Sequence, residues 1–332
     1  MAQQWDSPQM VRGASVRWSR YVIYGLLLFF AAIYVLPLVV MLLTSLKPLQ
    51  EIYSGSIIAL PHEWTVKPWI DAWGQTCVGL SCHGIKGYFW NSTKMTVAAV
   101  IISTAIGMLN GYVLTKWRFK GADLLFGLVL FGCFIPFQIV LIPMATLLGK
   151  LGIASSTPGL VLVHVIYGLA FTTLYFRNYY VAFPDELIRA AMIDGAKFFS
   201  IFFRILVPNS APIVVVTVIW QFTNIWNDFL FGASFSTGES APMTVALNNV
   251  VNTSTGEREY NVHMAAAVIA ALPTLLASRP HCCPGRRVRM DFSPPDPGPA
   301  RWRNRSAGNR LHQPPGDAGN PLRRGSGKPR CV

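Results

Sequence analysis

Six apolar runs decide what this chain can fold into. The first, residues 21–46, has no charged side chain, and others follow at 95–115, 124–149, 151–176, 205–227 and 263–278. A hydrocarbon core about 30 Å thick is crossed by roughly 20 apolar residues in a helix. Every run but the last reaches that length. The expected fold is therefore all-α, a polytopic membrane protein of six spans whose sixth span is cut short. Soluble domains carry about 25% charged residues, whereas here 13% are charged and 52% hydrophobic, so arguments about a water-soluble core do not apply.

The formal net charge of +13 invites a nucleic-acid reading, and its location removes it. Residues 278–332 hold 12 of the 28 Lys+Arg and 3 of the 15 Asp+Glu, which is nine of the thirteen net charges. That segment is rich in Arg, Pro and Gly and poor in aliphatics, so it cannot bury an apolar face, and disorder is the expectation. No aromatic or periodic pattern supports a nucleic-acid arm. The Arg/Pro/Gly bias is what a GC-rich gene gives out of frame. The sixth run points the same way. Met264 to Ala277 supplies 14 apolar residues, about 21 Å of helix at about 1.5 Å per residue. Arg279, Pro280, Arg286, Arg287 and Arg289 then follow, and these cannot complete a crossing cheaply. We read a frameshift near Ala277. The chain divides into an N-terminal segment 1–20, a transmembrane domain 21–277 and a disordered basic tail 278–332.

Orientation follows from the basic residues of the short loops. Arg12, Arg17 and Arg20, then Lys116, Arg118 and Lys120, then Arg177, Arg189, Lys197 and Arg204 fall in every second loop, and the alternate loops are acidic or near neutral. Basic loops stay cytoplasmic, so the N-terminus is expected inside and 47–94, 149–156 and 233–260 outside. Trp64, Trp69, Trp73 and Trp90 in the first outer loop suit a membrane–water interface. Cys77 and Cys82 share that loop, where a disulfide and two free thiols are equally open.

Chemistry is sparse. No phosphate-binding loop, paired-carboxylate set, nucleophile elbow or zinc spacing occurs. No catalytic residue, metal ligand or cofactor is expected. Gly107 and Gly111 share one face of the second span and permit close helix packing. Pro136 and Pro143 interrupt the third, with Gln138 between them. His164, alone in the fourth span, reads as a packed, hydrogen-bonded residue more readily than as a relay. The fifth span ends WQFTNIWNDFL. There Gln221, Asn224 and Asp228 recur on one helical face, beside Asn227. Such groups are costly in lipid and should face protein or water. Amides beside Trp220 and Trp226 suit the hydroxyls and apolar faces of a sugar, and interhelical bonding is the competing role.

The remaining polar interval, 177–211, reads as two short helices. Asp185 after Pro184 starts the first, Gly195 breaks it, and Asp194 can cap a second helix, 196–207, that Pro208 ends. An amphipathic pair lying on the membrane is one reading. The spacing offers another. Ala190-Ala191, Asp194-Gly195-Ala196, Ile205 and Val207-Pro208 resemble, in register, the EAA loop of the membrane subunits of binding-protein-dependent ABC importers. The Glu position is Arg189, with Glu186 the nearest acid, and Val207 replaces Leu. The turn GYVLTKWRFKGAD, the segment IPFQIVLIP, WNDFLFG and PMTVALNNV are similar to carbohydrate ABC permeases, above all the second permease subunit of glucose/mannose-type importers. The resemblance spans roughly 17–277.

That resemblance implies a multi-pass protein of the bacterial inner membrane which does not itself hydrolyse ATP. Glu186, Arg189, Ala190, Ala191, Asp194, Gly195, Ala196 and Pro208 would couple it to cytoplasmic ATPase subunits, and Gln221, Asn224, Asn227 and Asp228 would line the substrate pathway. A second, different permease subunit, a periplasmic sugar-binding protein and membrane lipid would be its partners, with no nucleic acid. The rival is a stand-alone secondary transporter of a small polar solute. It calls for buried charge pairs and inverted repeats, and neither is seen. A membrane enzyme lacks any catalytic constellation.

Overall fold

A computed structural model describes residues 15–55, 59–117, 119–252 and 258–277. The readings made of 278–332 and of Arg118 lie outside the described residues. Among those described, every long element is helical. The order is α1 (Ser15–Ser45), α2 (Leu49–Ser54), α3 (Lys67–Gly74), α4 (Lys86–Lys116), α5 (Ala122–Gly132), α6 (Phe137–Lys150), α7 (Thr157–Val181), α8 (Asp185–Ile193), α9 (Phe198–Ile201), a π-helical turn Phe202–Leu206, α10 (Val207–Asn209), α11 (Ala211–Trp226), α12 (Leu230–Phe235), α13 (Met243–Asn252) and α14 (Tyr260–Ala277). Four helices are long and apolar enough to cross a membrane, and six spans result if each of two bent pairs counts as one.

The organising contact is α4 against α7. A Cβ on Gly107 would lie 2.5 Å from Thr172 Oγ1, and one on Gly111 would lie 2.8 Å from the Arg177 backbone nitrogen. The two glycines therefore let the backbones meet. Gly107 opposes Thr172 and Gly111 opposes Phe176, so the helices run parallel. Parallel neighbours require one full return crossing between them. α5 and α6 supply it, bent by 102° at a short break. Pro136 sits at that break as the N-cap of α6, whereas Pro143 lies inside α6. Of the two expected interruptions, only Pro136 breaks the helix. α11 runs against α7, since Gly168 meets Gln221 while Tyr180 meets Ser210.

Three apolar clusters are strung along α4. Tyr88 joins Val78, Met243, Ala246 and Val262 at one end. Met95, Ala99 and Val100 join Leu148, Val163, Ile225 and Phe231 in the middle. Met108 and Tyr112 join Phe176, Ile188, Ile201 and Leu206 at the other end. The first cluster explains why α4 starts at Lys86, well before the expected 95. Ser92 is buried and its Oγ accepts from the Met243 backbone N–H at 2.7 Å, so this turn packs on α13 inside protein. Beside it the Cys77–Cys82 disulfide is formed. α7 starts later than expected, at Thr157, because Gly152 and Ser155 take positive φ (69° and 55°) and Ser156 caps the helix through the Gly159 N–H at 3.2 Å. α14 has 18 residues, about 27 Å at about 1.5 Å per residue, longer than the 14 apolar residues suggested.

Candidate functional site

The interval 182–210 is a pair of helices standing on the third cluster. α8 begins after Pro184 with Asp185 and Glu186 in its first turn, which favours the helix N-terminus. Its end follows from local chemistry. Gly195 has φ 81°, its N–H donates to Met192 O at 3.0 Å, and the Ala196 N–H donates to Ala191 O at 2.9 Å. This is the paired closure of a left-handed helix terminus, and its positive φ suits a glycine. Asp194 closes α8, and Lys197, not Asp194, precedes the second helix.

Pro208 does not end that second helix. A proline lacks an N–H and crowds the carbonyl one turn back. The chain widens to a π turn over Phe202–Leu206, with the Val207 N–H reaching Phe202 O, and continues to Asn209. Side chains take up the displaced carbonyls. Asn209 Nδ2 donates to Ile205 O at 2.7 Å and Ser210 Oγ to Leu206 O at 2.6 Å. The chain then bends 76° into α11. The bend is tied to α7, where Tyr179 Oη donates to Asn209 O at 2.7 Å and Tyr180 Oη pairs with Ser210 Oγ at 2.9 Å. Lys116 Nζ, at the end of α4, donates to Phe183 O and to Asp185 Oδ1, both at 2.6 Å.

The far side of this pair is open. Glu186, Arg189, Ala190, Asp194, Gly195 and Pro208 are exposed, and Ala191 and Ala196 are half-buried. Leu187, Phe199 and Phe203 are exposed as well, and Ile193 is 86% exposed. A cleft of about 430 Å³ runs along Ala191, Gly195, Ala196, Ser200 and Arg204. Apolar groups this exposed beside charges suit either a protein partner or the membrane interface.

A second feature lies between α7, α11 and α12. A cavity of about 540 Å³ is bordered by Tyr167, Phe171, Trp220, Phe137 and Phe231, with His164, Gln221, Asn224, Asn227 and Asp228 as its polar groups. The four expected pathway residues thus border one space, in unequal ways. Gln221 is buried, its Nε2 donating to Ser103 Oγ at 3.0 Å and lying over Gly168. This is the interhelical bond that competed with a pathway role. Asn224 and Asn227 are exposed, and Asn224 Nδ2 donates to Trp220 O at 2.8 Å. Asp228 lies beyond the end of α11 and does not continue its face. Its Oδ2 accepts from the Gly232 N–H at 3.2 Å. Burial pushes its carboxyl up to about 6, and hydrogen bonds from the Gly232, Phe231 and Leu230 N–H groups oppose that rise.

Sequence reasoning missed the cavity's aromatic wall. Tyr167, Phe171 and Tyr175 repeat every fourth residue along α7, and that stripe was the available signal. Phe171 and Tyr175 both pack on Trp220, with ring centroids 4.7 and 5.6 Å apart. His164 is 5% exposed, as a packed residue would be, but its Nε2 has no hydrogen-bond partner among the described residues.

Comparisons with known proteins agree with this architecture. The profile of the family described as "Binding-protein-dependent transport system inner membrane component" matches residues 103–278. A probable ABC transporter permease protein of Pyrococcus horikoshii is 38% identical over 260 residues, 78% of this chain and 90% of that one. The xylose/arabinose import permease protein of Haloferax volcanii is 30% identical over 294 residues, covering 82% and 91%. Among solved structures, a chain of a bacterial ABC transporter involved in the import of the acidic polysaccharide alginate superposes with a TM-score of 0.70 at 19% identity, covering 81% of this chain and 96% of that one.

Proposed function

From its membership of the binding-protein-dependent transport system inner membrane components, the family to which this chain belongs, we propose that the protein is one permease half of an ABC importer that carries a sugar into the cell. The observation that carries the reading is the exposed helix pair. Its apolar residues Leu187, Ile193, Phe199 and Phe203 stand free on the far side of the third cluster, and Lys116, Tyr179 and Tyr180 bind its near side to the spans. Such a knob suits the cleft of an ATPase subunit. Glu186, Arg189, Ala190, Ala191, Asp194, Gly195, Ala196 and Pro208 form or shape it.

In this reading the N-terminus and the helix pair face the cytoplasm, and the disulfide-closed loop and α13 face the binding protein. ATP hydrolysis belongs to separate subunits, and closure of those subunits drives the two permease halves between outward and inward cavities. Relatives are named for different sugars, xylose or arabinose in one case and diacetylchitobiose in another. The sequence likeness to glucose/mannose-type subunits makes a monosaccharide the first substrate to test.

The test is reconstitution. The chain is co-expressed with the ATPase, second permease and binding protein that this reading expects from neighbouring genes, purified, and placed in proteoliposomes. Labelled sugar should accumulate only with ATP and the binding protein present. Accumulation by this chain alone, driven by a proton or sodium gradient, would overturn the proposal in favour of a secondary transporter.

A further inference from the structure

His164 Nε2 and Asp228 Oδ2 face each other across 3.9 Å at the polar end of the cavity. That gap exceeds a hydrogen bond, whose heavy atoms lie at about 2.7–3.2 Å. His164 is 5% exposed and Nε2 has no hydrogen-bond partner among the described residues, and leaving a buried polar atom unsatisfied costs free energy. Two atoms at that separation can share one oxygen about 2.8 Å from each, accepting from an Nε2–H and donating to the carboxylate once the wall opens enough to expose the buried Nε2. No charged donor is among the cavity's bordering residues, and its walls carry the Phe171–Trp220 pair, with Asn224 exposed one turn beyond Trp220. An anion would meet Asp228 without a compensating cation, whereas a neutral ring would lay an apolar face on the aromatics.

We propose that His164 and Asp228 form a hydroxyl-binding clamp, so that this subunit contacts a neutral polyhydroxylated solute directly during transport. The inference rests on the sugar-permease reading above. It assigns His164 a ligand-contacting role, and it assigns Gln221 to helix packing. Asp228 also holds the start of α12 through the Gly232 N–H, so its side chain is fixed before a ligand arrives.

The test uses the complete reconstituted importer and a panel of labelled glucose, mannose, xylose and arabinose, followed by monodeoxy analogues of whichever is imported. A site built to bond a hydroxyl rejects the analogue lacking it. Wild type should discriminate against one monodeoxy analogue by about 10-fold or more, and His164→Gln and Asp228→Asn should each lose most of that discrimination without losing co-purification with the ATPase. Variants that assemble and keep wild-type discrimination against every analogue overturn the clamp alone. An importer that takes up none of these monosaccharides, nor diacetylchitobiose and arabinooligosaccharides tested after them, overturns the sugar reading and the clamp together. A second readout covers variants that fail to assemble. With Cys133, Cys282, Cys283 and Cys331 replaced by serine, Asn224→Cys should react with a small methanethiosulfonate reagent, and the imported sugar should slow that reaction severalfold. Equal labelling with and without sugar overturns the clamp.

Discussion

Replacing Gly111 with alanine tests the α4–α7 seam on which both functional surfaces hang. The added Cβ would lie 2.7 Å from Phe176 Cβ, 2.8 Å from the Arg177 nitrogen and 2.9 Å from the Phe176 carbonyl carbon. Carbon contacts are comfortable at about 3.5–4.0 Å, so α7 must retreat by about 0.7 Å or more. Two of the three obstacles are backbone atoms, which no rotamer change clears. Overpacking of this kind costs about 1–3 kcal/mol. The same retreat stretches the Asn110 Nδ2 to Thr173 Oγ1 bond, 3.2 Å in the native seam, and an interhelical bond in a membrane contributes about 0.6 kcal/mol more. The expected net loss is therefore about 1–3 kcal/mol, the sum of those two terms less the gain of about 0.5–1 kcal/mol that alanine brings to a helix interior. At about 2–4 °C per kcal/mol for a domain of 150–250 residues, the midpoint falls by roughly 2–12 °C. The assay is thermal unfolding of the detergent-purified complex at one scan rate. Gly127→Ala is the control, because its Cβ meets nothing within 4 Å and alanine in a helix interior gains about 0.5–1 kcal/mol over glycine. If Gly111→Ala unfolds with the control rather than below it, the close backbone approach is wrong.

Three further outcomes are expected. Gly195→Pro removes the N–H that closes α8 and cannot take φ 81°, so ATP-driven uptake should be lost while membrane insertion persists; normal uptake at normal protein level would refute the docking role of the helix pair. Asp228 has its carboxyl raised to about 6, against about 3.9 unperturbed, with His164 the titratable side chain across the cavity. Its protonated form is favoured in the folded protein, so the associated stability is present below about pH 4 and is lost as pH rises through about 6; Asp228→Asn should flatten stability over that window, and an unchanged pH profile would count against a buried Asp228. Reading the gene one base displaced after codon 277 should give a short apolar run that completes the sixth span, and two alternative frames without one would dispose of the frameshift; the family match itself stops at residue 278.

What could be read in advance was local. Gly195 announced the end of α8 because a left-handed terminus favours a glycine at the position of positive φ, and Gly195 takes φ 81°. Gly107 and Gly111 announced a close approach because i and i+4 share a helix face. Pro208 misled for the complementary reason. Whether a proline ends a helix depends on who satisfies the displaced carbonyls, and here Asn209, Ser210 and Tyr179 do so. The early start of α4 depends on Ser92 and Tyr88 meeting α13, about 150 residues away. Gln221 has a polar sequence signature that fits two roles, and only its distance to Ser103 separates them. His164 was read as hydrogen-bonded because most buried histidines are, and an unpartnered nitrogen leaves no trace in sequence.

The same seam decides where motion can occur. Gly107 and Gly111 lock α4 to α7 by backbone contact, and Lys116 fixes the α4 end to the start of α8, so these elements move together or not at all. The cavity is walled by that unit on one side through Tyr167 and Phe171, and by α6, α11 and α12 on the other. Both of the latter spans carry a bend, 102° ahead of α6 and 76° ahead of α11, where the helical hydrogen-bond ladder is interrupted. Ladder breaks absorb dihedral change at lower cost than continuous helix, and irregular backbone at membrane depth is tolerated where it borders protein or a cavity. A displacement of the exposed helix pair reaches the second bend through Asn209 and Ser210 and the α7 tyrosines that hold them. α11 is itself tied to that unit, at the bend before it by Tyr179 and Tyr180 and further along by the Gln221 bond to Ser103, so a displacement of the helix pair is passed to α4, α7 and α11 together.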